Sequence, residues 1–331
     1  MKLDNFLALT KATLLNEPSI VAFEHICIEA SKVKRGDAFF AYDKDEIQTA
    51  LQNGAYVVVF EGEQELNDSE TAWVSVESLD DALRKVLRFK IVEKDISVYE
   101  CNEIVLELAT QLSLPPNFYI FQGDIKTNLL FIWNLEEKTN LLCCPTLGDT
   151  SIFATKTKLQ SSLHTSIEII EQTLFETSFI YKDKFYERQL LSPFFMPYLE
   201  DLFYFLESIN VEFKIKKFSI MEHFEPVFVN KKFEAKNFGT SNMVLIFEPK
   251  SDLVKNQIAF IKQYAPWANT IFVIPQTMPD KYEENVYIYT NKKEILDILK
   301  EANFHFALIV GCDKSILNNQ PLAQKQLTFE F

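Results

Sequence analysis

Hydrophobic positions along this chain change period repeatedly, and the changes mark out alternating helices and strands. Leu3, Phe6, Leu7, Leu9 and Leu14 recur at helical spacing over residues 1–15, and Asn16-Glu17-Pro18 stops that run. The apolar stretch SIVAFEHICIEA leads into a turn at Lys34-Arg35-Gly36-Asp37 and then the strand AFFAY. A helix over 44–53 closes at Asn53-Gly54, because glycine takes the left-handed cap without steric cost. AYVVVFEG and WVSVES read as buried strands. Ser78 opens a further helix as its N-cap, with Asp80 and Asp81 in the first turn, where the helix dipole favours acids. Strands alternating with helices predict an α/β domain over residues 1–95.

The second segment, 96–193, begins with a helix over 100–112 that stops at Leu114-Pro115-Pro116. Next comes a strand, a tight turn at Gly123 to Asn128, and a helix. Beyond 150 the periodicity weakens, and it predicts a helix over 165–174 with short strands after it. The third segment, 194–331, opens on an aromatic amphipathic helix carrying Phe194, Phe195, Tyr198, Phe203, Tyr204 and Phe205, a stripe that reads as core packing. MVLIFE, TIFVIP, NVYIY and FALIV are strands, and helices over 251–264 and 291–302 complete a Rossmann-like α/β unit. The last 20 residues are polar.

Composition narrows the chemistry. Seven glycines among 331 residues is far below the roughly 7% of an average chain. Gly-rich phosphate loops need several glycines together, so such a loop is hard to place. The formal net charge of −14 repels phosphate backbones and anionic membrane surfaces, and the longest basic run, Lys214 to Lys217, is too short for a nucleic-acid patch. Direct nucleic-acid binding and membrane insertion are therefore not expected. Cys27, Cys101, Cys143, Cys144 and Cys312 form no CxxC pair, and the four histidines are scattered, so no metal site is expected. The adjacent Cys143 and Cys144 lie beside leucines and read as buried, reduced thiols. The N-terminus lacks a signal-peptide pattern and no apolar run reaches about 18 residues, so the expected location is cytoplasmic.

Residues 25–62 carry a resemblance. HICIEASKVKRGDAFFAY and, after the helix, IQTALQNGAYVVVFEG resemble the N-terminal domain of the Mur ligases. Lys32, Val33, Gly36, Asp37, Phe39, Ala41, Gly54 and Ala55 stand at the family's pattern positions. Within the family the pattern is nearest the branch that adds D-alanyl-D-alanine to UDP-muramoyl-tripeptide. The resemblance implies three α/β parts: the N-terminal domain, a P-loop ATPase segment, and a C-terminal ligase domain. It makes Glu29 and Ser31 the counterparts of substrate-holding residues, although Glu29-Ala30-Ser31 replaces the family's Asp-Ser-Arg and so loses a bidentate guanidinium.

At the expected P-loop the chain has Gly123, Asp124, Ile125, Lys126, Thr127 and Asn128, one residue short and without the second glycine. The resemblance implies that Gly123, Lys126 and Thr127 are the remnant of an ATP-phosphate and magnesium site, so ATP and Mg are the cofactors if the ligase reading holds. Read on its own, the segment is an ordinary βα turn. The remaining stretch to residue 193 is shorter than the family's ATPase domain, and its one histidine, His164, is a weak magnesium ligand candidate. Farther on, Phe224, Pro226 and Val227 match the opening of the ligase domain. The family's polar amino-acid site is replaced by Ile246 to Ser251, leaving only Glu248 and Ser251 as polar candidates.

These departures favour a degenerate Mur ligase homologue without full ligase activity, tied to peptidoglycan precursors or to a protein partner. An active ATP-dependent amide ligase is the alternative. A third reading rests on the tail, where Gln324, Leu327 and Phe329 form a Gln-x-x-Leu-x-Phe pattern resembling peptides that dock into the bacterial DNA sliding clamp.

Overall fold

The computed structural model describes residues 1–161, 166–278 and 285–319. The chain divides into two compact units, one of residues 1–161 with 205–214 and one of 162–204 with 215–331.

The first unit holds a five-stranded and a four-stranded sheet. Strands Ala72–Val76, Val57–Glu61, Ala38–Phe40 and Ile26–Cys27 lie parallel in that order, with Thr13–Leu14 antiparallel at the outer edge. Val57, Val58, Val59 and Phe60 are all fully buried, as a parallel strand covered on both faces requires. Alternate residues serve opposite cores: Val57 and Val59 face one, Val58 and Phe60 the other together with Trp73 and Ala50. The second sheet is parallel throughout, in the order Thr157–Lys158, Ser97–Glu100, Asn140–Gly148, Phe118–Gly123. Its Val98, Phe121, Leu141 and Cys143 join Val57, Val59, Phe40 and the apolar face of helix Leu79–Glu93 in one continuous core. That helix buries Leu79, Leu83, Val86, Leu87 and Ile91 at helical spacing, and Ser78 accepts the Asp81 amide as the expected N-cap. Gly54 closes Ile47–Gln52 with φ +94°.

The second unit pairs a three-stranded antiparallel sheet, Ile167–Gln172, Thr177–Tyr181 and Lys184–Gln189, with a five-stranded sheet. In the latter, Met243–Glu248, Phe306–Val310, Thr270–Pro275 and Val286–Tyr289 run parallel, and Glu225–Val229 is an antiparallel edge. Helices Val254–Tyr264 and Glu294–Glu301 supply the crossovers. The aromatic stripe is largely core: Phe194, Phe195 and Phe203 are buried, and Phe203 packs 4.5 Å from Tyr181.

Three expectations are corrected. The predicted helix over 165–174 is the strand Ile167–Gln172. Its isoleucines suit either period, but Thr173 turns the chain by accepting the Glu176 amide, and the following strand supplies the ladder partners. The first helix is Leu3–Thr10 rather than 1–15, because Lys11 adopts the left-handed conformation and Thr13–Leu14 pair with the sheet. The helix expected over 100–112 is Glu103–Thr110, capped by Asn102, and Ser97–Glu100 before it is an unpredicted strand.

Candidate functional site

In parallel α/β sheets, ligands gather beyond the carboxyl ends of the strands. In the first unit four strand ends converge there. Tyr42 follows Ala38–Phe40, Asp80 follows Ala72–Val76, Lys126 follows Phe118–Gly123 and Asp149 follows Asn140–Gly148. Tyr42 donates its hydroxyl to Asp80 Oδ1 at 2.7 Å, and Lys126 Nζ stands 3.3 Å from the same oxygen. The Lys126 ammonium also covers the Tyr42 ring, 3.5 Å from its centroid. On the next turn of the helix Arg84 reaches Asp149 Oδ2 at 3.5 Å, while its buried Nε has no hydrogen-bond partner among the described residues.

The charges are tuned accordingly. The Tyr42 hydroxyl and then the Lys126 ammonium hold the Asp80 carboxyl below its usual range. Burial, reinforced by Asp80, pushes the Tyr42 phenol upward, so it remains a donor at neutral pH.

The Gly123 turn is built as a closed local network. Gly123 takes φ +84°. The Thr127 amide donates to Asp124 Oδ1 at 2.7 Å. Asn128 spans the turn, donating to the carbonyls of Gln122 at 2.7 Å and Asp124 at 2.9 Å and accepting from Tyr119 at 3.0 Å. Asp149 N donates to Gly123 O at 3.0 Å. The helix that follows, Leu129–Trp133, has five residues.

The Thr127 amide and hydroxyl hold the Asp124 carboxyl below its usual 3.8. For a depressed acid, the closing interaction is fully present above that usual value and lost as pH falls through the lower folded value. The Thr127 amide resonance is therefore expected to titrate with a midpoint below 3.8. A midpoint at or above 3.8 would count against the closed turn.

The structure thus brings Gly123, Lys126 and Thr127 together in one turn. Glu29 and Ser31 lie elsewhere, around the short 3-10 turn Ala30–Lys32. Glu29 accepts Lys32 Nζ at 2.8 Å, the Ala30 amide is taken by Glu46, and Ser31 is exposed. His164, Gln324, Leu327 and Phe329 lie outside the described residues. Among the described residues no group of three or more acidic, cysteine or histidine side chains is arranged to hold a metal, and no helix is long and apolar enough to cross a membrane. Cys143 and Cys144 are buried in strand Asn140–Gly148, where burial pushes the Cys143 thiol up to about 12.

In the second unit Glu248 is fully buried at a strand's carboxyl end. It accepts from His223 Nδ1 at 2.7 Å, the Lys250 amide at 3.1 Å, the Phe224 amide at 3.2 Å and Gln257 Nε2. Every donor is internal, and Ser251, paired with Asp252, takes no part. Tyr42, Asp80, Arg84, Asp149, His223 and Gln257 stand in no motif that marks them as site residues in the sequence. The available signal was position, just past a strand end or opposite one.

No protein-family profile matches the sequence, and no curated protein matches it significantly. Solved structures do. A MurF ligase from Thermotoga maritima in complex with ADP is similar over 88% of this chain and 95% of its own, with a TM-score of 0.52 at 12% identity. MurF from Acinetobacter baumannii is similar over 93% of this chain and 95% of its own, with a TM-score of 0.54 at 9% identity. The chain carries the multi-domain α/β fold of the Mur ligases.

Proposed function

We propose that this is a degenerate Mur-ligase-fold protein that performs no ATP-dependent ligation and instead binds a UDP-muramoyl peptide of peptidoglycan synthesis. One observation carries the reading: the turn's own backbone, which a P-loop opens toward phosphate, is closed on itself. The Thr127 amide caps the Asp124 carboxylate, which occupies the centre of the turn. A triphosphate needs successive free amides around it. A shortened turn with an aspartate at its centre and a five-residue helix behind it fits neither the triphosphate nor its magnesium. The spent carboxylate at Glu248, where the family places its amino-acid site, points the same way.

The binding role draws on the cations Lys126 and Arg84 at the convergent strand ends, which suit an anionic precursor. The test is titration with UDP-muramoyl-tripeptide, followed by incubation with ATP-Mg and D-alanyl-D-alanine. Saturable precursor binding without amide product supports the proposal. Formation of the pentapeptide product would replace it with the active-ligase reading.

A further inference from the structure

Lys126 is held in a way suited to exchange. Its partner Asp80 is half exposed, at 52% of the side chain, and Lys126 itself is 43% exposed. Ion pairs in such surroundings are weak, because water screens them and long side chains lose freedom in forming them. Each partner also keeps a second contact on Tyr42. Asp80 retains the phenol hydroxyl at 2.7 Å, and Lys126 retains the ring face at 3.5 Å. Separating the two therefore leaves neither charge without a neighbour. Asp81, one residue on, pairs with Lys85 Nζ at 2.7 Å instead.

We infer that Asp80 is a built-in competitor for the anion site at Lys126, occupying the ammonium until an anionic group of the ligand displaces it. This rests on the proposed binding of a UDP-muramoyl peptide. Tyr42 acts as the pivot, since it holds the released carboxylate and keeps the ammonium in place. The device sets a threshold: a ligand with a single weak charge gains little by the exchange, whereas a phosphate-bearing one repays it.

The experiment is calorimetric titration of UDP-N-acetylmuramoyl-tripeptide into the full chain and three variants, each checked for an unchanged thermal midpoint. Asp80→Asn removes the competitor and is expected to tighten binding about tenfold, the size of effect that a lost competing charge contact gives. Asp81→Asn removes the same charge from the same helical turn and should change affinity less than about twofold, as a screened surface charge does. Lys126→Met in the Asp80→Asn background should abolish the gain. If both aspartate variants tighten binding equally, general electrostatics explains the result and the inference falls. If wild type binds and Asp80→Asn binds equally or more weakly, the inference falls while the precursor-binding role stands. If neither wild type nor Asp80→Asn binds, both fall.

A measurement on the unaltered protein guards against misfolding of the variant. Ligand saturation should raise the Asp80 side-chain pKa, because the Lys126 contribution is withdrawn. An unchanged value would overturn the exchange.

Discussion

Glu248→Gln is expected to destabilise the second unit by about 3–5 kcal/mol, the cost of breaking a buried ionic network by altering one member. The substitution is nearly isosteric, yet it swaps an acceptor oxygen for an amide group that can only donate. The four partners of Glu248 among the described residues are donors: His223 Nδ1, the Phe224 and Lys250 amides, and Gln257 Nε2. No rotation of the glutamine satisfies them all, so at least one buried donor loses its partner. The network also joins three stretches of chain. It anchors the turn before Glu225–Val229, where Phe224 sits at φ +51°, to the end of Met243–Glu248 and to helix Val254–Tyr264.

Denaturant unfolding of the full chain checks the prediction, with Glu225→Gln as the comparison. Among the described residues the Glu225 carboxylate, 15% exposed, pairs with Lys314, whose side chain is 63% exposed, and a pair screened on the lysine side is worth about 1 kcal/mol. Equal shifts for the two variants would show that Glu248 is not the structural centre described.

Trp133→Ala is expected to cost the first unit about 3–5 kcal/mol, as large-to-small aromatic substitutions in cores do. The Trp133 ring stacks on Phe23 at 6.0 Å, lies under the Lys90 ammonium at 5.1 Å and donates Nε1–H to the Glu24 carbonyl at 2.9 Å. Phe23 and Glu24 belong to the first sheet's side of the core, whereas Trp133 belongs to the segment that follows the Gly123 turn. A reporter is already present in Trp73, fully buried in the first sheet. In a Trp267→Phe background, the fluorescence of Trp73 should lose its cooperative transition at a lower denaturant concentration once Trp133 is removed. An unmoved Trp73 transition would mean that the two sheets fold as separate units, contrary to the shared core.

Much of the scaffold is legible in the residues. Runs such as VVVFE and MVLIFE announce buried parallel strands by their continuity, and Ser78 and Gly54 mark helix ends through local chemistry that needs no tertiary partner. Ile167–Gln172 reads as a helix in the sequence because its isoleucines are compatible with both periods, and only the ladder to Thr177–Tyr181 decides between them. Ser97–Glu100 is short, and its pattern is set by strands 40 or more residues away in the chain.

The site is harder to read for a related reason. Asp80 has a sufficient local explanation as an acid in a helix's first turn, so nothing in its neighbourhood reveals a bond to Tyr42, 38 residues earlier. Glu248 and His223 lie 25 residues apart and meet only when the sheet assembles. The Gly123 turn was legible as a departure from a phosphate loop, but not the manner of its closure. That Asp124 takes the Thr127 amide is a fact of geometry.

On the proposed reading this turn is closed to nucleotide, and calorimetric titration of the full chain with ATP-Mg tests that most directly. No saturable binding is expected up to millimolar ATP. Micromolar, magnesium-dependent binding that disappears in Lys126→Met would contradict it.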